Sequence, residues 1–227
     1  MPEPMPTLAI FCKRPALFQG KQRLAKTIGA EQALLFAQAF LACALEDARA
    51  WSGPVVLSPA SVDDHDWAIS LLEGAEVMAQ PDGGLGDRLW TIDRQLRARG
   101  HQQIIFMGTD APMLIPGHFE QARRAMNDHD IILSPALDGG VTLMGARRGW
   151  PQMADLPWST DRLGYALEQL CHAQGYPVKN IRPSYDIDVA EDLPRLWRDL
   201  SADPRPARRA LFGQLGTFLT PEGLQYG

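Results

Sequence analysis

Two kinds of pattern alternate along the chain. Short, nearly continuous apolar runs stand at Leu8–Cys12, Val55–Ser58, Ile104–Gly108 and Ile131–Ser134, the last three bounded by Gly, Pro, Asp or Ser. Longer segments with apolar residues three and four apart follow them. Ala30–Ala50 carries Leu34, Ala37, Leu41, Ala44 and Leu45. Gly86–Arg99 carries Leu89, Ile92 and Leu96, and Asp161–Ala173 carries Leu163, Ala166, Leu167 and Leu170. The short runs lack the in-and-out alternation of a half-exposed strand, so they predict strands buried on both faces; the longer ones predict amphipathic helices. Buried strands alternating with helices predict an α/β fold with a mainly parallel sheet. In such sheets ligands bind beyond the carboxyl ends of the strands. The polar residues that follow each run are therefore the ones to read for chemistry.

Composition narrows the classes. The 227 residues allow one large domain or two small ones. The only compositional break, the Pro- and Arg-rich stretch Ser201–Arg209, predicts an exposed link, so the expected division is one domain over 1–202 and a C-terminal tail over 203–227, packed on the domain or extending from it. Twenty-two Lys and Arg against 27 Asp and Glu give a net charge of -5, the wrong sign for a general nucleic-acid binder. The apolar stretch Ala33–Leu45 is about half the ~20 residues of a membrane span. Met1–Pro6 has neither the basic nor the apolar part of a signal peptide. Cys12, Cys43 and Cys171 have no CxxC spacing and predict reduced, buried thiols. Together these point to a soluble, cytoplasmic protein without nucleic-acid or membrane partners.

After the first run come Lys13-Arg14-Pro15 and then Gly20-Lys21-Gln22-Arg23-Leu24. Four cations close to one strand end, with a glycine that lets backbone N–H groups approach, form a candidate anion pocket or, alternatively, a solvated basic loop. After the third run Thr109-Asp110-Ala111-Pro112 sets a carboxylate at the ligand edge. Magnesium suits it, although an Asx turn or a helix cap would use the same residue. Pro135-Ala136-Leu137-Asp138-Gly139-Gly140 and Ser184-Tyr185-Asp186-Ile187-Asp188 repeat the arrangement. Asp188 with Glu191 also reads as a capping pair opening a helix through Leu196. Gly83-Gly84-Leu85-Gly86-Asp87-Arg88 opens a helix and reads as an anion site, a border for a nucleoside or a plain turn. In Trp158-Ser159-Thr160, the Trp reads as packing and one of the hydroxyls as a helix cap, with substrate contact as the other reading. Zinc-protease, GxSxG and GxGxxG spacings are all missing.

In this order the motifs resemble the bacterial glycosyltransferase-A-like proteins related to the phospholactate guanylyltransferases, within the nucleotide-diphospho-sugar transferase superfamily. The series runs from Lys13-x-Pro15 and Lys21-x-Arg23-Leu24, through Gln80 and Leu85-Gly86-Asp87-Arg88, to Gly108-Thr109-Asp110-Ala111-Pro112. It continues with Pro135-Ala136-x-Asp138-Gly139-Gly140, Trp158-Ser159-Thr160 and Asp186-x-Asp188 with Glu191-Asp192-Leu193. The resemblance implies a three-layer α/β/α sandwich, a divalent ion (Mg²⁺ or Mn²⁺) on Asp110 with Asp188 as second acid, and a nucleotide beside the first strand. Leu17-Phe18, Gln22, Gly84 and Val141-Thr142 depart from the family pattern, and the last pair implies a different acceptor pocket.

Nucleotidyl transfer from a nucleoside triphosphate to a small phosphorylated or hydroxyl acceptor explains the early cations best, because a triphosphate carries more charge than a metal-paired diphosphate. Sugar transfer from a nucleotide-sugar is the alternative, and a catalytically silent binding protein the third reading. The expected roles are metal binding for Asp110 and Asp188 and binding of departing phosphates for Lys21 and Arg23. Nucleotide contact falls to Lys13, Arg14, Gly20, Gln80, Gly83, Gly84, Leu85 and Gly86. Acceptor contact falls to Asp138, Gly139, Gly140, Trp158, Ser159 and Thr160.

Overall fold

The computed structural model describes residues 5–220. In chain order the elements are β1 (Thr7–Cys12), α1 (Gln22–Ile28), α2 (Ala30–Ala50), β2 (Val55–Pro59), α3 (His65–Leu71), β3 (Glu76–Val77), α4 (Leu85–Ala98) and β4 (Ile104–Met107). Then come α5 (Pro116–Ala125), β5 (Ile131–Pro135), β6 (Val141–Ala146), α6 (Leu163–Ala173), β7 (Val178–Asn180), α7 (Leu193–Asp199) and α8 (Pro206–Leu219). The apolar runs all form strands, and α2 has the bounds its spacing predicts.

Seven strands form one sheet in the order β3-β2-β1-β4-β6-β5-β7, parallel except for β6, which runs against both its neighbours. Successive side chains of a strand point to opposite faces, and the core splits accordingly. Leu8, Ile10 and Ile105 meet Phe36 and Phe40 of α2, Phe119 of α5, Leu196 of α7 and Leu211 of α8 on one face. Ala9, Ile104 and Phe106 meet Ile92 of α4 and Leu167 of α6 on the other. The result is the expected α/β/α sandwich with a mixed, mainly parallel sheet. All three cysteines are free and buried, and burial pushes each thiol up to about 12, so they stay protonated. No helix of the described residues is long and apolar enough to cross a membrane.

The C-terminal region is more than a link. Ser201, Ala202, Pro204, Pro206 and Arg209 are exposed, while α8 begins inside the stretch and lays Arg208, Leu211 and Leu215 against α2 and α7. Arg208 is fully buried. Its guanidinium donates to Asp47 Oδ2 at 2.5 Å and Glu46 Oε2 at 2.9 Å, both on α2, and to the carbonyls of Cys43 and Pro112 at 2.6 and 3.0 Å. Arg205 donates to Asp47 Oδ1 at 2.8 Å from above. A buried charge needs such a full set of partners to offset its lost hydration. Residues 1–4 and 221–227, parts of the expected leaderless start and of the tail, lie outside the described residues.

Candidate functional site

The loops after β1, β4 and β5 meet at one edge of the sheet. Because β6 is antiparallel, its first residues, not its last, reach the same edge. The segment 184–188 threads between them. Ala136 bridges Ser184 in parallel, Leu137 N donates to Ser184 O at 3.2 Å, and Ile187 N donates to Asp110 O at 2.9 Å. The last contact ties the backbones that carry Asp110 and Asp188.

Lys21 reaches into this junction. The loop before it turns back sharply, with Phe18, Gly20 and Lys21 all at positive φ (62°, 68° and 45°), a region that disfavours side chains other than glycine's absent one. Lys21 then heads α1. Its ammonium lies 3.0 Å from Asp110 Oδ1 and 3.6 Å from Asp188 Oδ1, donates to Ile187 O, and sits 5.7 Å from the centre of the Phe40 ring. The lysine side chain is 9% exposed, while the two carboxylates remain 48% and 46% exposed. Arg23 approaches Asp188 from the solvent side at 3.8 Å.

The capping reading of Asp188 does not hold. Asp192 does that work: its Oδ2 accepts from the N–H groups of Asp188 and Val189, each at 3.0 Å. The Asp188 carboxylate is thereby left to face Lys21. Among the described residues no group of three or more His, Cys, Asp or Glu is placed to hold a metal ion. Asp110 and Asp188 are the available pair, two hard oxygen donors already drawn to one cation.

Two cavities adjoin across Asp110, Gly108, Leu85 and Phe11. The first, of about 240 Å³, is lined by Lys13, Arg14, Gly20, Lys21, Gln80 and Arg88 together with Thr109. Gln80 is fixed there by donating to Ser58 O at 2.7 Å and accepting from Arg88 at 2.9 Å. The second, of about 220 Å³, has mainly apolar walls, including Phe106, Val141, Met144, Trp158 and Leu163, with Asp110 and Asp186 as its acids. Burial, then the negative charges of Asp138 and Asp188, push the Asp186 carboxyl up to about 6.

Several expected site residues lie outside both cavities. Gly83 and Gly84 stand exposed at the head of α4. Gly86 is buried against the next layer, where a Cβ would meet Met153 O at 2.4 Å. Its lack of a side chain therefore serves packing, not a base. Gly139, at φ +88°, is likewise pressed on Asp161, whose carbonyl oxygen would lie 1.9 Å from an added Cβ. Asp138 Oδ1 accepts from Gly140 N at 2.9 Å, closing the β5–β6 turn. Ser159 and Thr160 line neither cavity and do not cap α6 through their side chains, since the helix starts at Leu163 with Arg162 at its cap. Thr160 Oγ1 donates to Pro157 O at 2.7 Å and accepts from Arg162 N, just before the helix, at 3.3 Å. Among the lining residues that carried no assigned role in the sequence are Phe11, Arg88, Thr109 and Asp186. Arg88, Thr109 and Asp186 belong to motifs already noted, so position beside a loop was their available signal. Phe11 looks like any other strand residue.

Comparison with known proteins gives the architecture a context. A protein of Desulfovibrio desulfuricans G20 assigned as a nucleotide-diphospho-sugar transferase superposes with a TM-score of 0.83 at 18% identity, over 93% of this chain and 97% of its own. Rv0371c of Mycobacterium tuberculosis H37Rv, in a complex with manganese, gives 0.50 at 18% identity, over 85% and 97%. CMP:2-keto-3-deoxy-manno-octonic acid synthetase complexed with CTP gives 0.52 at 14%, over 92% and 99%. At these identities the likeness is one of fold, and it is the nucleotide-diphospho-sugar transferase fold. No curated protein matches the sequence significantly. The model of a bacterial family, described as uncharacterized protein conserved in bacteria (DUF2064), matches residues 41–160, just over half of the chain. The chain thus belongs to the DUF2064 family, built on the nucleotide-diphospho-sugar transferase fold.

Proposed function

We propose that this protein is a nucleotide-using transferase, and that it moves a nucleotidyl group from a nucleoside triphosphate to a small acceptor with release of pyrophosphate. The observation that carries the reading is the cation-lined cavity that meets two exposed carboxylates at Asp110, with a second cavity on the far side of the same residue. Lys13, Arg14, Lys21 and Arg88 are placed to hold phosphates, and Gln80 to border the nucleoside. Asp110 and Asp188 fit a magnesium or manganese ion, since two carboxylates completed by phosphate oxygens and water make up the set such ions accept. That ion would supply charge neutralisation on the phosphates. The acceptor oxygen forms its bond to the α-phosphorus and releases its proton to solvent. The bond from that phosphorus to the β-phosphate oxygen breaks, and the electron pair leaves with pyrophosphate. Lys21 and its neighbours hold the departing group, so catalysis is mainly positioning and electrostatics. Two structural neighbours, one bound to CTP and one to manganese by their descriptions, accord with this reading.

Sugar transfer is the second reading, favoured by the assignment of the Desulfovibrio neighbour. A thermal-shift panel of nucleoside triphosphates and nucleotide-sugars, with and without MgCl₂, separates the two without an acceptor, because a ligand selective for the native state raises its melting temperature. Magnesium-dependent stabilisation by a triphosphate is expected. Stabilisation by nucleotide-sugars alone would transfer the assignment to glycosyl transfer, and no response from either class would end both. Triphosphate binding without pyrophosphate release across an acceptor panel would leave a silent binding protein.

A further inference from the structure

We propose that the second cavity is an acceptor subsite for a small molecule with an apolar body, a hydroxyl group and no negative charge. The inference rests on the nucleotide reading of the adjoining cavity and narrows its acceptor class. Three observations carry it. First, the walls contributed by Phe11, Phe106, Val141, Met144 and Leu163 are hydrocarbon. Second, the polar atoms of the two amphipathic wall residues are already used inside the protein. Trp158 Nε1 donates to Met153 O at 2.8 Å, and Thr142 Oγ1 donates to Ser134 O at 3.3 Å. The indole therefore offers its ring and the threonine its methyl. Third, the charged residues lining the cavity are Asp110 and Asp186, and among the described residues no Lys, Arg or His joins them.

A phosphorylated or carboxylated acceptor would meet two acids and a dry wall there, with no Lys, Arg or His among the lining residues to replace its hydration. A hydroxyl group instead donates to Asp186, which forms no ion pair within 4 Å with Lys21, and its carbon body displaces water from the wall. The positive charges lie across Asp110, where the triphosphate needs them. Cations on one side and hydrocarbon on the other thus sort donor from acceptor by charge. In the transfer the acceptor's O–H bond breaks with loss of its proton to solvent, its oxygen bonds to the α-phosphorus, and the bond from that phosphorus to the β-phosphate oxygen breaks as pyrophosphate departs into the cationic cavity.

Benzyl alcohol and benzyl phosphate, which share a body and differ in charge, test this by saturation-transfer NMR on the full chain. Benzyl alcohol should bind at least about tenfold more tightly than benzyl phosphate. Val141→Lys, which places a cation on the wall, should reverse that preference, and magnesium with triphosphate should leave benzyl alcohol bound. Equal or tighter binding of benzyl phosphate to the unaltered protein overturns the proposal, as does binding of neither probe. Displacement by the nucleotide would make the cavity a base pocket, and indifference to Val141→Lys would put the probe elsewhere; either also overturns it. The charge comparison on the unaltered protein stands even if Val141→Lys does not fold. Failure of the nucleotide reading shows separately, as a missing thermal shift with triphosphate and magnesium.

Discussion

Two clusters of opposite charge in this molecule use the same side-chain chemistry in contrasting surroundings. At the sheet edge Lys21 reaches Asp110 and Asp188, whose carboxylates stay nearly half exposed. Behind α2, Arg208 reaches Asp47 and Glu46, and both Arg208 and Asp47 are out of water. Every donor of the Arg208 fork faces an oxygen in a closed shell, so that cluster fixes α8 and has nothing left for a ligand. The Lys21 cluster is open, and its carboxylate oxygens remain available. Burial, more than residue type, separates an anchor from a site.

The largest effect tests the anchor. Arg208→Met should cost about 3–5 kcal/mol in urea unfolding, because it breaks the pairing of the buried Asp47; adding Asp47→Leu should recover part of that loss. A cost within 1 kcal/mol or so, the ordinary range of a surface pair, would break the contrast. Next, Asp110→Asn should lower kcat/KM by about a hundredfold or more while the urea midpoint stays close to that of the unaltered protein. A large loss of stability would mean that the open cluster is an anchor too. Lys21→Ala should weaken triphosphate binding about tenfold in calorimetric titration, with a bare nucleoside unaffected. An equal loss for both would remove the lysine from the phosphates.

The smallest effect asks where acid sensitivity resides on the anchor's side of the molecule. His118 is buried, and its Nδ1 accepts from Ile115 N at 3.1 Å at the start of α5. Burial holds its proton affinity below the ordinary value of 6.5. The unfolded chain therefore takes up this proton first. The histidine's contribution is complete above about pH 6.5 and is lost as pH falls toward the folded-state value. His118→Gln keeps a side-chain acceptor without the titration, and should flatten the fall in stability as pH drops below about 6.5 in urea unfolding. An unchanged slope would take His118 out of the acid response, since the raised proton affinity of Asp47 beside Arg208 acts in the opposite direction.

The two clusters were unequally legible in the sequence. Lys21 and Asp110 could be brought together because each follows a buried apolar run, and the parallel sheet delivers such ends to one edge. Arg208 needs Asp47 and Glu46, contributed by a distant helix, and no local pattern distinguishes its guanidinium from that of exposed Arg209. Local ambiguity also misled at Asp188, where Asp192, four residues on, captures the N–H groups that a cap would take. Strand β6 escaped notice because Thr142 and Gly145 interrupt its apolar run. With it went its reversed direction, which brings Val141 to the site. The glycines at 86 and 139 were read as room for a ligand; the space is occupied by the protein's own backbone at Met153 and Asp161.

The left-handed turn at 18–21 has a consequence for altering this protein. Phe18 and Lys21 hold torsions that a β-branched replacement would resist strongly, so alternatives for aiming a cation at the two acids are few. β-Branched substitutions in that turn would disturb folding and phosphate contact together, unlike Lys21→Ala, which removes the ammonium alone. Val141, Met144 and Leu163 are not among the residues with positive φ, so they can be exchanged without that torsional penalty. A search for new acceptors should leave the strained turn untouched and diversify the hydrocarbon wall.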